Sequence, residues 1–207
     1  QLENLKSTIS IKSLINKKFS ITNLKISTKT LKIKDLISFT KLFKNDAKIY
    51  IADKLIKRGF LVADVNIEFD KEGKIKDNYN INGLIKNANL KLLKRQSFQD
   101  INLEFEIQRK KYLLKNLQTK YKKINLSSNS IVINKKEQSL WIEGDIKNIN
   151  KKIDNEIIKF VSNNYFKKIN INQLNLISNN VFSFKIDKKF KLSDLKINSK
   201  IKLDNLN

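Results

Sequence analysis

From Ile101 to Ile107 the chain reads I-N-L-E-F-E-I, apolar at every second residue and polar in between. A period of two sends successive side chains to opposite faces of an extended strand. Ile101, Leu103, Phe105 and Ile107 therefore share one face, and Asn102, Glu104 and Glu106 share the other. A slip of one residue would reverse every side chain, so such a strand has a firmly specified register. The same rhythm returns at Val65, Ile67 and Phe69, at Ile131 and Ile133, and at Phe182, Phe184 and Ile186. A chain dominated by this period is mainly β, with one apolar and one polar face to each strand.

Repetition extends the argument from strand to architecture. I-N-K-K-F-S-I-T-N-L-K-I-S-T-K from Ile15 is echoed by I-D-K-K-F-K-L-S-D-L-K-I-N-S-K from Ile186, with a weaker copy, R-K-K-Y-L-L-K-N-L, from Arg109 to Leu117. Phe19, Tyr112 and Phe190 are the equivalent aromatics. Each copy is expected to be a strand, a Lys-Lys turn and a second strand. G-L-I-K-N-A-N from Gly83 and G-D-I-K-N-I-N from Gly144 form another pair, read as turns. Repeats at long, uneven intervals predict one continuous unit over residues 1–207: an elongated, curved antiparallel sheet of repeated strand pairs. With no proline and four glycines, the turns fall to Asn, Asp and Lys, which tolerate or stabilise tight backbone. D-K-E-G at 70–73 is one such turn, with Gly73 at positive φ.

Three segments depart from the alternation. Leu36, Phe39, Leu42 and Phe43 have helical spacing, with Asp35 as N-cap. Asp46 to Arg58 carries Ile49, Ala52, Leu55 and Ile56 and ends in Lys57-Arg58-Gly59, read as a C-cap, so 35–59 is a helical insertion. Residues 154–165 form a third short helix, with Ile157, Phe160 and Val161 on one side. Near Gln173 the alternation changes phase, which predicts a β-bulge.

Chemistry is sparse. The chain has no His and no Cys, which removes the commonest general base, the commonest metal ligand and any thiol nucleophile. Phosphate loops and nucleophile elbows are absent. The expectation is a protein that is not an enzyme and needs no metal or cofactor. The net charge of +23 is carried almost wholly by Lys, with Arg only at 58, 95 and 109. Specific nucleic-acid contacts favour Arg, so the charge reads mostly as composition and solvated strand faces, with attraction to anionic membrane surfaces as a by-product. Trp141, in L-W-I-E-G, reads as a packing residue. The chain lacks Met and begins at Gln1; a segment of a longer polypeptide is expected, continuing at both ends.

D-K-L-I-K-R-G-F-L-V-A-D-V-N-I-E-F from Asp53, G-L-I-K-N-A-N-L-K-L from Gly83, S-F-Q-D-I-N-L-E-F-E-I from Ser97 and L-W-I-E-G-D-I-K-N from Leu140 together resemble the central segment of AsmA-like bacterial envelope proteins. These are relatives of the bridge-like lipid transfer proteins. The resemblance runs loosely from Leu36 to Leu206, although the prolines that often precede the helix in relatives are missing here. It implies a β-groove that holds phospholipid acyl chains, on the periplasmic side of an inner membrane to which another part of the chain is anchored. Val65, Ile67, Phe69, Ile101, Leu103, Phe105, Ile107, Ile131, Ile133, Phe182, Phe184 and Ile186 are then the groove candidates. The alternatives are a polyanion or nucleic-acid binder, and a structural β-repeat module whose apolar face packs dry on a second sheet.

Overall fold

Alternating strands joined by short polar turns pair with their neighbours in sequence, and that is the arrangement found. The computed structural model describes residues 2–16, 18, 21–43, 46–92, 96–122, 124–148, 152–153, 174–189 and 191–206. In chain order these form β1 (Leu2–Ile9), α1 (Ile11–Ile15), β2 (Ile21–Thr28), β3 (Leu31–Lys32), α2 (Ile33–Phe43), α3 (Ala47–Leu55) and β4 (Ile56–Glu68). There follow β5 (Asn80–Lys91), β6 (Ser97–Ile107), β7 (Lys111–Tyr121), β8 (Ile124–Lys136), β9 (Ser139–Asn148), β10 (Lys152–Ile153), β11 (Leu174–Ile186) and β12 (Leu192–Leu206). All strands belong to one open antiparallel sheet of order β1-β2-β4-β5-β6-β7-β8-β9-β11-β10, in which β12 also pairs with β11 and β3 with β4. No second sheet covers it among the described residues. The chain exposes 15307 Å², where a compact monomer of this mass would expose roughly 10,000 Å².

Because successive strands run in opposite directions, the connections β1–β2, β4–β5, β6–β7, β8–β9 and β11–β12 all lie at one end of the sheet. This hairpin end collects Lys110-Lys111 and Lys188-Lys189 of the sequence repeat. Its turns are built as the composition suggests. The Asp70 carboxylate accepts the N–H groups of Glu72 (2.8 Å) and Lys74 (2.9 Å), and Gly73 sits at φ 81°. Asp187 repeats the device, accepting from Lys189 and Lys191, each at 2.8 Å.

α2 and α3 pack at the opposite end, over β4 and β5. Ile33, Ile37 and Ala88 are buried there, with Ile49, Ala52, Ile56, Leu61, Ile85 and Ile101 against them. The Lys34 ammonium donates to Asp53 at 2.6 Å, and Lys41 reaches its other carboxylate oxygen, tying α2 to α3.

Several local expectations are corrected. α2 starts at Ile33, straight from β3, so Asp35 lies in the first turn rather than at the N-cap; it still faces the positive end of the helix dipole. The helix expected up to Arg58 stops at Leu55, and Gly59 is inside β4 at φ 145°, not a C-cap. A Cβ there would come within 2.7 Å of Ala88 Cβ and 2.9 Å of Ile33 Cδ1, so the glycine permits close packing of β4 against β5 and α2. The upstream arm of the first repeat copy is the short helix α1, begun by Ser10, whose Oγ accepts from Ser13 N–H at 3.3 Å. The two G-x-I-K-N copies run within β5 and β9 rather than forming turns. Phe19, Phe190, the 154–165 helix and the bulge near Gln173 lie outside the described residues.

Candidate apolar face and its cationic end

Directly paired residues of an antiparallel sheet project from the same face, so the register lays the candidate residues out across the strands. Leu5, Ile26, Val65, Ile81, Ile107, Tyr112, Ile133, Ile142 and Phe184 are successive partners, an unbroken apolar row across nine strands. The next row runs Ala63, Gly83, Phe105, Leu114, Ile131, Gly144, Phe182 and Ile197. Leu61, Ile85 and Leu103 begin a third, toward the helices. Ile67 pairs with Leu24 and Ile186 with Leu140 on the hairpin side, and Ile101 pairs with Ala88 beneath the helices. Eleven of the twelve candidates thus share one face. The twelfth, Phe69, follows β4 in an isolated bridge to Ile75. All twelve are half-buried and none is buried: neighbouring strands shield their flanks and nothing among the described residues caps them.

Both glycines of the repeated motif lie in the second row. The ring of Phe105 crosses Gly83, 2.6 Å from where a Cβ would stand, and Gly144 leaves the same room beside Ile131 at 3.0 Å. The opposite face is mixed. Glu104 is exposed there, while Glu106 is half-buried, 3.5 Å from Lys115. Trp141 is on that face too, 39% exposed, with the Lys136 and Lys185 ammonium groups 5.1 and 5.5 Å above its ring. It is therefore not the packing residue that its strand pattern suggests; the lysines hold it by cation–π attraction at the surface.

The apolar face keeps its phase by a band of bulges that sequence reasoning missed. Asn87, Asp100 and Asn116 have φ of 52°, 51° and 52°, and register shifts accompany them. Side chains satisfy the backbone released there. Asn102 Oδ1 accepts Asn87 N–H and Asn89 Oδ1 accepts Asp100 N–H, each at 3.0 Å, and Asp145 accepts from Asn129 (3.1 Å) and Ser130 (3.2 Å). Asp100 is further held by Arg58 at 2.9 Å and Lys120 at 3.2 Å.

The two ends of the face differ. Toward the helix end on β7–β11 it turns polar, with Thr119, Ser128, Asn148 and Ser178 all buried. At the hairpin end the apolar side reaches Lys135, opposite Leu140, while Lys111, Asn134 and Lys136 project from the other face. Arg109, Lys110, Lys111, Lys135 and Lys136 line an open cleft of about 480 Å³ with Asp77, Gln108 and Asn134. Nearby, hydrogen bonds from Asn78 and then Lys76 hold the Glu68 carboxyl below its ordinary range, and the backbone amides of Lys74 and Glu72 do the same for Asp70. Among the described residues no group of His, Cys, Asp and Glu could hold a metal ion, and no helix is long and apolar enough to cross a membrane. The chain matches no known protein-family model, and no curated protein or solved structure is significantly similar to it.

Proposed function

We propose that this chain is a non-enzymatic lipid-binding segment that holds phospholipid acyl chains along the apolar face of its sheet. The observation that carries the reading is the row of nine apolar partners from Leu5 to Phe184, which nothing among the described residues covers. Apolar surface of this extent is costly in water, and each acyl CH₂ laid against it would recover about 0.8 kcal/mol. Such a row has no sequence of preferred stopping points, which suits chains that slide along it better than a ligand fixed in one pose. The resemblance to AsmA-like envelope proteins supports the same conclusion. It also supports a location on the periplasmic side of a bacterial inner membrane, anchored through another part of the polypeptide, with intermembrane lipid transport as the role.

The test is lipid extraction and native mass spectrometry of protein purified from membrane-containing cells. Co-purifying phospholipid is the expected result. Folded protein that carries none, and takes none from vesicles, would end the proposal. A second reading, a polyanion binder, draws on the Lys-rich turns gathered at the hairpin end. It requires sub-micromolar affinity for nucleic acid that persists at physiological salt with a steep salt slope. Binding that vanishes by that ionic strength is nonspecific attraction.

A further inference from the structure

We propose that the cationic cleft at the hairpin end seats the phosphate of an anionic lipid headgroup, while the acyl chains of the same molecule lie on the apolar rows beside it. This rests on the lipid-binding reading and adds the class of headgroup. The β6–β7 turn and the end of β8 are fastened together by the Lys135 N–H, which donates to the Lys110 carbonyl at 2.7 Å. Five cations and one carboxylate line the cleft so formed. Arg109 is paired with Asp77; Lys110, Lys111, Lys135 and Lys136 have no carboxylate partner among the described residues. Register divides the four: Lys135 is on the apolar side, whereas Lys111, opposite Asn134, and Lys136, opposite Ser139 and over Trp141, project from the other face, so the cleft lies at the end of the sheet and is lined from both faces. Like charges gathered there gain by sharing an anion.

Position selects the anion. On the apolar side Lys135 follows Ile133 by two residues and stands opposite Leu140. The cations therefore begin where the row Ile107–Tyr112–Ile133–Ile142 is still apolar. At the opposite end the face is covered by α2 and α3 over Leu61, Ile85 and Ile101, or is lined by Thr119, Ser128, Asn148 and Ser178. An apolar track that meets concentrated positive charge at an end that nothing among the described residues covers is complementary to an amphiphile with an anionic head. A free phosphate or nucleic acid would use the charge and leave the track unused. The four cations without a carboxylate partner are all Lys, compact charges without the bidentate fork of Arg. The cleft therefore recognises charge rather than headgroup shape, and phosphatidylglycerol, phosphatidylserine and phosphatidic acid should be taken nearly alike.

The experiment measures transfer of fluorescent phosphatidylglycerol and phosphatidylcholine of identical chains from vesicles to the protein. The unmodified protein should take phosphatidylglycerol about tenfold better, as expected of several lysines near one headgroup. That preference should fade between about 0.1 and about 1 M salt, as the screening length drops from ~10 to ~3 Å. The variant Lys110→Gln, Lys111→Gln, Lys135→Gln, Lys136→Gln should lose the preference yet keep its uptake of phosphatidylcholine. A control with equal charge removed at the other end (Lys29→Gln, Lys54→Gln, Lys57→Gln, Lys91→Gln) should retain it. Equal uptake of both lipids by the unmodified protein, or equal loss in the control, overturns the headgroup seat and leaves the lipid-binding reading standing. Uptake of neither lipid overturns both. Calorimetric binding of pyrophosphate as tight as that of the anionic lipid would assign the cleft to free phosphate and overturn the seat as well. Because the salt series uses the unmodified protein, misfolding of a variant does not decide the outcome.

Discussion

Gly83 illustrates how much a single missing side chain can carry. Its absent Cβ is the space between the Phe105 ring and the neighbouring strand: a Cβ would stand 2.6 Å from the ring's Cζ and closer still to the Val62 carbonyl oxygen, and the aromatic covers backbone that would otherwise lie bare on the apolar face. Gly83→Ala should lower stability by about 1–3 kcal/mol, the usual cost of overpacking, read as a shift of the urea midpoint at unchanged slope. Asp53 tests electrostatics at the same scale. Hydrogen bonds from Lys34, then Lys41, lower its pKa from 3.8 to about 2. The folded pKa lies below the unfolded one, so the stabilisation is present above about pH 4 and is lost as pH falls through about 2. Asp53→Asn should therefore destabilise the α2–α3 pair at neutral pH and leave little difference from the unmodified protein near pH 2. Hydrogen exchange of α2 amides across that range measures it, and a pH-independent difference would contradict it. Both residues are partly exposed, at 36% for the Lys34 side chain and 29% for Asp53, so solvent screening keeps the effect modest.

Among the elements, the strands were legible and the bulges were not, for a definable reason. β6, β8 and β11 follow their apolar alternation, and eleven of the twelve predicted face residues fall on a common side, with Phe69 beyond the end of β4. The apolar phase, however, slips by three residues at Ile85–Ala88, Phe98–Ile101 and Leu114–Leu117, with Asn87, Asp100 and Asn116 between. A spacing of three around an Asn or Asp is the signal that would have located the band, because these residues tolerate positive φ. The G-x-I-K-N copies misled because glycine was read as turn-forming when here it makes room for neighbouring side chains inside a strand. The helix boundaries failed at Gly59 for the same reason. If the bulges matter to the sheet, removing one acceptor should be felt. Asn102→Ala leaves the Asn87 amide without its partner and should cost about 1 kcal/mol, the net worth of a partly exposed hydrogen bond. β6 supplies a paired test of facing. Leu103→Asp puts an unpaired charge among Leu61, Ile85 and their neighbours and should destabilise by more than about 2 kcal/mol. Glu104→Gln on the other face should stay within about 0.5 kcal/mol. Gln is the neutral choice there, since Lys at 104 would stand directly opposite Lys115.

For the molecule as a whole, the question is what covers a sheet that exposes 15307 Å². The outer strand β12 shows how the surface is divided. Leu195, Ile197 and Ile201 are exposed on the apolar side, while Lys196, Lys200 and Lys202 alternate with them and discourage pairing with another sheet edge. An apolar face with guarded edges suits a covering that lies on the face, and acyl chains are such a covering. The decisive positions are Ile133 and Val132, consecutive residues in the second half of β8. Ile133 stands in the nine-residue row between Tyr112 and Ile142, and Val132 points the other way, between Leu113 and Glu143. Both are half-buried and aliphatic, so local hydrophobicity and exposure do not separate them; only the face does. A photoreactive amino acid placed at 133 should label phospholipid when the protein is expressed with membranes, and one placed at 132 should label little. Peptide adducts from 133 in place of lipid would mean that polypeptide covers the face and that the core is dry. Equal lipid labelling from both would mean that the sheet meets lipid by general affinity, because an acyl chain confined to one face reaches 133 and is separated from 132 by the thickness of the sheet.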